Sequence, residues 1–143
     1  MSATPGQTVR AFLDAYARRD VDAALAVVDP AARVAIAPLG PPPAGIDGLR
    51  RLMTDTVAAF PDLLLTVRDL IEAGAVVLAE FKLEGTQAAA YLGAVNQEKH
   101  LDVDQAWRFG VAGDRITEVD AYWCQNQLYR RLAVKRLDQI AIV

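Results

Sequence analysis

Cysteine and histidine are almost missing from this chain: 143 residues contain one of each, Cys124 and His100. A single thiol excludes an internal disulfide and fits a reducing compartment. One imidazole and one thiol cannot assemble a His/Cys metal site, and no carboxylate cluster has ligand spacing, so neither a metal nor another cofactor is expected. Basic residues are outnumbered 15 to 18, for a net charge of −3. They form no phosphate-tracking cluster, which argues against nucleic acid as a partner. Those at 130, 131, 135 and 136 read as the solvated face of a terminal helix. Long apolar runs are also lacking, and the first residues carry no charged-then-apolar signal pattern. No membrane partner is expected, and the expected location is cytoplasmic. Cys124 has no base nearby in sequence to activate it, so it reads as structural. His100 reads as a solvated side chain on an outer face.

What is abundant is Ala, Val and Leu, within an apolar content of 53%. The length predicts one domain spanning 1–143, large enough to bury about two-thirds of its unfolded surface. The stretch 101–123 organises it. In LDVDQAWRF, Leu101, Val103, Gln105, Trp107 and Phe109 share one face, opposite Asp102, Asp104, Ala106 and Arg108. In ITEVDAYW, Val119, Ala121 and Trp123 oppose Glu118, Asp120 and Tyr122. Period-two alternation predicts two half-buried strands, and the intervening Gly113-Asp114 makes them an antiparallel hairpin. Gln105 is the polar exception on the inward face. A buried amide must find a partner or bear the cost of desolvation. It is either bonded to neighbouring backbone or a neutral donor aimed into a cavity.

Helical spacing of Val9, Phe12, Leu13 and Tyr16 predicts a helix over 7–19, with Thr4-Pro5 as cap and first turn. A second helix is expected over 21–28, stopped by Asp29-Pro30, then a short strand over 33–37. The PLGPPPAG segment is rigid and cannot hold a ladder. A third helix is expected over 46–60, strands over 63–69 and 75–84, and a C-terminal helix over 126–140. Helices first and antiparallel strands afterwards make an α+β domain, with three N-terminal helices covering one face of a curved antiparallel sheet.

Order, length and local motifs resemble the ketosteroid isomerase branch of the nuclear transport factor 2-like superfamily. LDVDQAWRF resembles the strand bearing the isomerase oxyanion acid, RITEVDAYWCQNQL the final strand, PLGPPPAGIDGL the approach to helix three, and RRDVDAALAVV the family's opening helices. The resemblance implies a cone whose apolar cavity holds one small molecule, and it implies a homodimer. Polyketide cyclases and epoxide hydrolases share that scaffold. The isomerase's catalytic groups do not carry over: Ile36 or Ala37 stands at the base, Phe12 at the oxyanion-hole tyrosine, and Gln105 at the protonated acid. Proton abstraction needs a positioned base, so ordinary ketosteroid isomerisation is not expected.

The candidate catalytic residues are Gln105 and Tyr16, which can polarise a carbonyl without taking a proton. Candidate substrate-binding residues are Phe12, Leu52 and Met53 on the helices. Phe81, Val103, Trp107 and Trp123 are the candidates on the strands. Tyr16 and Trp123 read equally as packing residues, and Trp107 reads first as one. The favoured function is a cyclase or isomerase of a bulky apolar natural product such as a polyketide, as in antibiotic biosynthesis, acting by confinement and neutral hydrogen bonding suited to pericyclic closure. The alternatives are a non-catalytic small-molecule binder, or an acid–base cyclase or epoxide hydrolase using Asp102, Asp104 or Asp120. A one-residue register slip would turn those carboxylates inward. The connection 85–99 is long for a hairpin. Tyr91, also a candidate substrate contact, and Leu92 sit in it as a lid over the cavity, or the segment extends the flanking strands.

Overall fold

A computed structural model describes residues 3–41 and 44–134. Helix α1 (Pro5–Ala17) starts at the expected Thr4-Pro5 cap, where Thr4 and Gln7 form a reciprocal capping box, and it ends two residues short of the expected 19. Helix α2 (Val21–Leu25) is capped by Asp20, whose carboxylate accepts from the Ala23 N–H at 3.0 Å. It ends three residues short of the expected 28. Strand β1 (Val28–Ile36) takes over and absorbs Pro30 in a register break between Val28 and Arg33. A proline without an N–H is tolerated there, because the bulged residues leave the ladder. A single 3-10 turn (Ala37–Leu39) then leads to α3 (Gly45–Ala59).

The rest of the sheet is β2 (Leu64–Ala73), β3 (Val76–Thr86), β4 (His100–Ala112) and β5 (Arg115–Trp123). Helix α4 (Gln125–Arg131) follows; it stops short of the expected 140, capped at Leu132 with Ala133 left-handed at φ +61°, and residues 135–140 of the expectation lie outside the described residues. Strand order is β1-β5-β4-β3-β2. Four strands are antiparallel neighbours as expected, while β1 joins β5 in parallel. The chain leaves β1 through α3 for β2 at the opposite edge of the sheet, and the meander from β2 to β5 then brings β5 back beside β1.

The alternating pattern of β4 is realised over its whole inward face. Val103, Gln105, Trp107 and Phe109 are all buried, whereas Asp104 is exposed. Two bulges reset the phase elsewhere in this curved sheet. One inserts Arg68 in β2 and the other Thr117 in β5. Each adds twist and brings two inward residues three apart, as with Ile116 and Val119. Helix α1 lies across the sheet with Phe12 and Tyr16 against Trp107, at ring-centroid distances of 6.2 and 6.3 Å. Phe109 closes edge-on to Phe12 at 5.5 Å. Such pairs contribute roughly 0.5–1.5 kcal/mol each beyond area burial. Among the described residues, no helix is long and apolar enough to cross a membrane.

Candidate functional site

The helix-covered face of the sheet is laid out in rows by strand register. Phe81, Gln105 and Trp123 are directly paired across β3, β4 and β5. The next row is Ala79, Trp107, Ala121 and Ile36. The small alanines on both sides make room for the indole. Leu83 and Val103 form the row on the other side of Gln105. This places Phe81, Val103, Gln105, Trp107 and Trp123 on one surface, as their parity predicts, with Phe12 and Tyr16 above it.

Gln105 is 5% exposed, and its partner is a side chain where backbone was one expectation. The Trp107 indole Nε1 donates to Gln105 Oε1 at 2.8 Å. Trp123, half-buried, donates from its own Nε1 to Gln125 Oε1 at 2.7 Å. The two tryptophans therefore pack and also anchor polar neighbours.

A second polar centre lies among the helices. The Thr56 hydroxyl donates to the Leu52 carbonyl at 2.7 Å. Its one proton is thereby used, so in the 2.9 Å contact between Thr56 Oγ1 and the Tyr91 hydroxyl the phenol is the donor. Burial pushes the Tyr91 hydroxyl up to about 12, opposed by its Thr56 hydrogen bond. Tyr16 is driven higher still, mainly by burial and then by Tyr91, with Thr56 opposing. Both phenols stay protonated at neutral pH. Leu52 and Met53 are buried on the same helix. Thr56 was legible only as one polar residue within an apolar helical stripe, and its role as hub between two tyrosines was not.

The 85–99 connection neither continues the hairpin nor hangs free. Strand pairing stops at Thr86 and His100, with one more bond from the Gln87 N–H to the Lys99 carbonyl at 2.9 Å. Beyond it, Tyr91 and Ala94 exchange backbone bonds of 3.0 and 2.8 Å around Leu92-Gly93. Both central residues are left-handed, at φ +47° and +85°. That conformation is unfavourable for Leu92 and must be held by its surroundings. Tyr91 holds it from one side, buried edge-on against Phe60 at 5.0 Å. The Tyr129 hydroxyl of α4 holds it from another, donating to the Leu92 carbonyl at 2.8 Å. Gln87, buried, donates to the Ala94 carbonyl at 3.3 Å.

The carboxylates of β4 and β5 lie on the opposite face. Asp102 pairs with Lys82 at 3.2 Å and Asp104 with Arg68 at 3.0 Å. Asp120 receives a two-pronged contact from Arg33, at 3.1 and 2.9 Å, and Arg108 reaches it at 3.4 Å. The Arg33 hydrogen bond holds the Asp120 carboxyl below its usual range, and Asp120 in turn raises the Arg33 guanidinium. Glu118 completes the group with Arg33 and Arg108. Cys124 is exposed, and its Sγ accepts from the Gln127 N–H at the start of α4; His100 is exposed at the start of β4.

A family profile described as the SnoaL-like domain matches residues 9–119. No curated protein matches the chain. Among solved structures, a protein from Jannaschia sp. CCS1 named as a candidate SnoaL-like polyketide cyclase superposes with a TM-score of 0.82 at 17% identity, covering 94% of this chain and 95% of its own. IdmH from Streptomyces antibioticus, named as a candidate polyketide cyclase, gives 0.78 at 20% identity over 92% and 100% of the two chains. TsrD from Streptomyces laurentii gives 0.78 at 24% identity over 90% and 94%. At these identities the likeness is one of fold.

Proposed function

The chain belongs to the SnoaL-like domain family, and from that premise we propose that it is a cyclase or isomerase of a bulky apolar natural product such as a polyketide. The observation that carries this reading is the separation of charge from the helix-covered face. Neutral hydrogen-bonding groups, Gln105 and Tyr16, stand among Phe12, Phe81, Trp107 and Trp123. The carboxylates of β4 and β5 are ion-paired on the far side. Among the described residues, a site so built lacks the base that enolisation or aldol chemistry requires. It favours confinement: a flexible chain is held folded with its reacting ends close, which can supply a large share of a barrier. Gln105 and Tyr16 would stabilise charge developing on a carbonyl oxygen in surroundings where hydrogen bonds are strong. Concerted closure suits these groups, since bonds form from π electrons already within the substrate and no proton passes to the protein. Leu52, Met53, Val103 and Tyr91 would complete the substrate contacts. The proposal extends to a cytoplasmic homodimer, which light scattering on the purified protein would check.

The test is incubation with linear polyene ketones, followed by chromatography and mass spectrometry. The expected product has unchanged mass and altered retention, formed at a rate nearly flat from about pH 5.5 to 8.5, since reference values place no tyrosine or amide titration there. Loss of water with a bell-shaped pH profile would point to acid–base cyclisation instead. Tight binding without conversion would leave a carrier.

A further inference from the structure

We infer that Trp107 is a positioning residue that holds the Gln105 amide one way round, so that the site presents N–H donors and selects ligands carrying a carbonyl oxygen. The inference rests on the helix-covered face being the ligand site. An indole N–H is a donor only, so the Gln105 atom 2.8 Å from it must be the carbonyl oxygen. The reversed amide would set two donors against each other. The nitrogen, with two protons to give, therefore faces away from Trp107. Among the described residues nothing accepts from it. Gln105 as a whole keeps 5% exposure, and its nitrogen is not among the sealed, unpartnered side-chain atoms of the described residues, where the Thr8 hydroxyl stands.

Trp107 is itself immobilised. It is 1% exposed, with Phe12, Tyr16, Phe81 and Phe109 around it at 5.6–6.3 Å between ring centroids. The amide is thus fixed by a side chain that cannot turn away. An unspent donor among Phe81, Val103 and Trp123 favours a ligand oxygen that accepts. It disfavours a ligand presenting only N–H or O–H groups, which would leave donor facing donor.

The experiment titrates isotope-labelled full-length protein with 1-tetralone and with tetralin, a pair of the same shape of which only the first has an acceptor. Affinities are read from amide and indole chemical shifts. In the wild type, 1-tetralone should shift the Gln105 side-chain amide resonances. The ratio of tetralone to tetralin affinity should fall roughly fivefold in Gln105→Met, the size of one lost hydrogen bond. It should fall similarly in Trp107→Phe, which keeps the ring but frees the amide. A ratio lowered by Gln105→Met but kept by Trp107→Phe would overturn the positioning role while the ligand site stood. If Trp107→Phe does not fold, the wild-type nuclear Overhauser contact decides. A weak contact between Trp107 Hε1 and the Gln105 amide protons supports the assignment, and a strong one overturns it. No shift at Val103, Gln105 or Trp123 with either probe would remove the site reading and this inference together.

Discussion

The two faces of strand β4 carry opposite chemistry from adjacent residues. Toward the helices stand Val103, Gln105, Trp107 and Phe109, apolar apart from one neutral amide. Toward the outside stand Asp102, Asp104 and Arg108, every one ion-paired. One residue of register separates the two sets, so the pleat alone decides whether the domain offers acid–base groups or neutral donors to a ligand. The outer charges have partners and water around them. The inner amide needs no counter-ion, and it avoids the penalty that a buried carboxylate would bring.

The sharpest way to break this contrast is Gln105→Ala. It should slow ring closure on the order of 10–1,000-fold if the amide strengthens its bond in the transition state, and it should also lower the unfolding midpoint, because the buried Trp107 N–H loses its acceptor. An unaffected rate would remove Gln105 from the mechanism. Asp120→Asn should spare turnover, costing only about 1 kcal/mol of stability at neutral pH. Charge-assisted bonds contribute more than that when sealed, but Arg33 is half-exposed and screening reduces the value. Because Arg33 depresses the Asp120 carboxyl, the unfolded chain takes up its proton first. The contribution is full above the unfolded value of about 3.9 and is lost as pH falls through the folded one. Urea titrations of wild type and Asp120→Asn should therefore converge in acid. A comparable effect on stability belongs to Tyr91→Phe, roughly 0.5–1.5 kcal/mol for one neutral hydrogen bond. Its signature is alkaline. With Tyr91 raised to about 12, its contribution is full below the unfolded value and declines as pH rises toward the folded one. Wild type should lose its margin over Tyr91→Phe in that window.

The hairpin was legible because ten or so residues of strict alternation leave one burial pattern, and Gln105 stood out as its exception. Helix α1 was equally legible from Phe12 and Tyr16 at one turn's spacing. Strand β1 was legible only from Arg33 onward, because Asp29-Pro30 reads as a stop when it is a bulge within a strand. The bulges at Arg68 and Thr117 erase alternation where the sheet bends. The site's inner wiring was the least legible part. That Trp107 bonds Gln105 follows from two side chains on one face, but their orientation depends on the alanines beside the indole. The Tyr16, Thr56 and Tyr91 centre joins a helix, a second helix and a loop, and no local pattern announces such a meeting. Tyr91 was expected in a movable or strand-like segment. Its burial against Phe60 instead makes that segment part of the core.

The parallel pairing at the edge of the sheet bears on how the molecule reaches its native state. Strands β2 to β5 pair with chain neighbours, whereas Arg33 meets Asp120 across 87 positions of sequence. Bringing such distant segments together costs loop-closure entropy before any contact rewards it. The meander can assemble from local encounters, and β1 then docks onto an edge already formed. Its outer charges would be gathered last: Arg33 arrives to find Asp120 and Glu118 already held beside Arg108, and its docking completes both the ladder and the neutralisation of that edge.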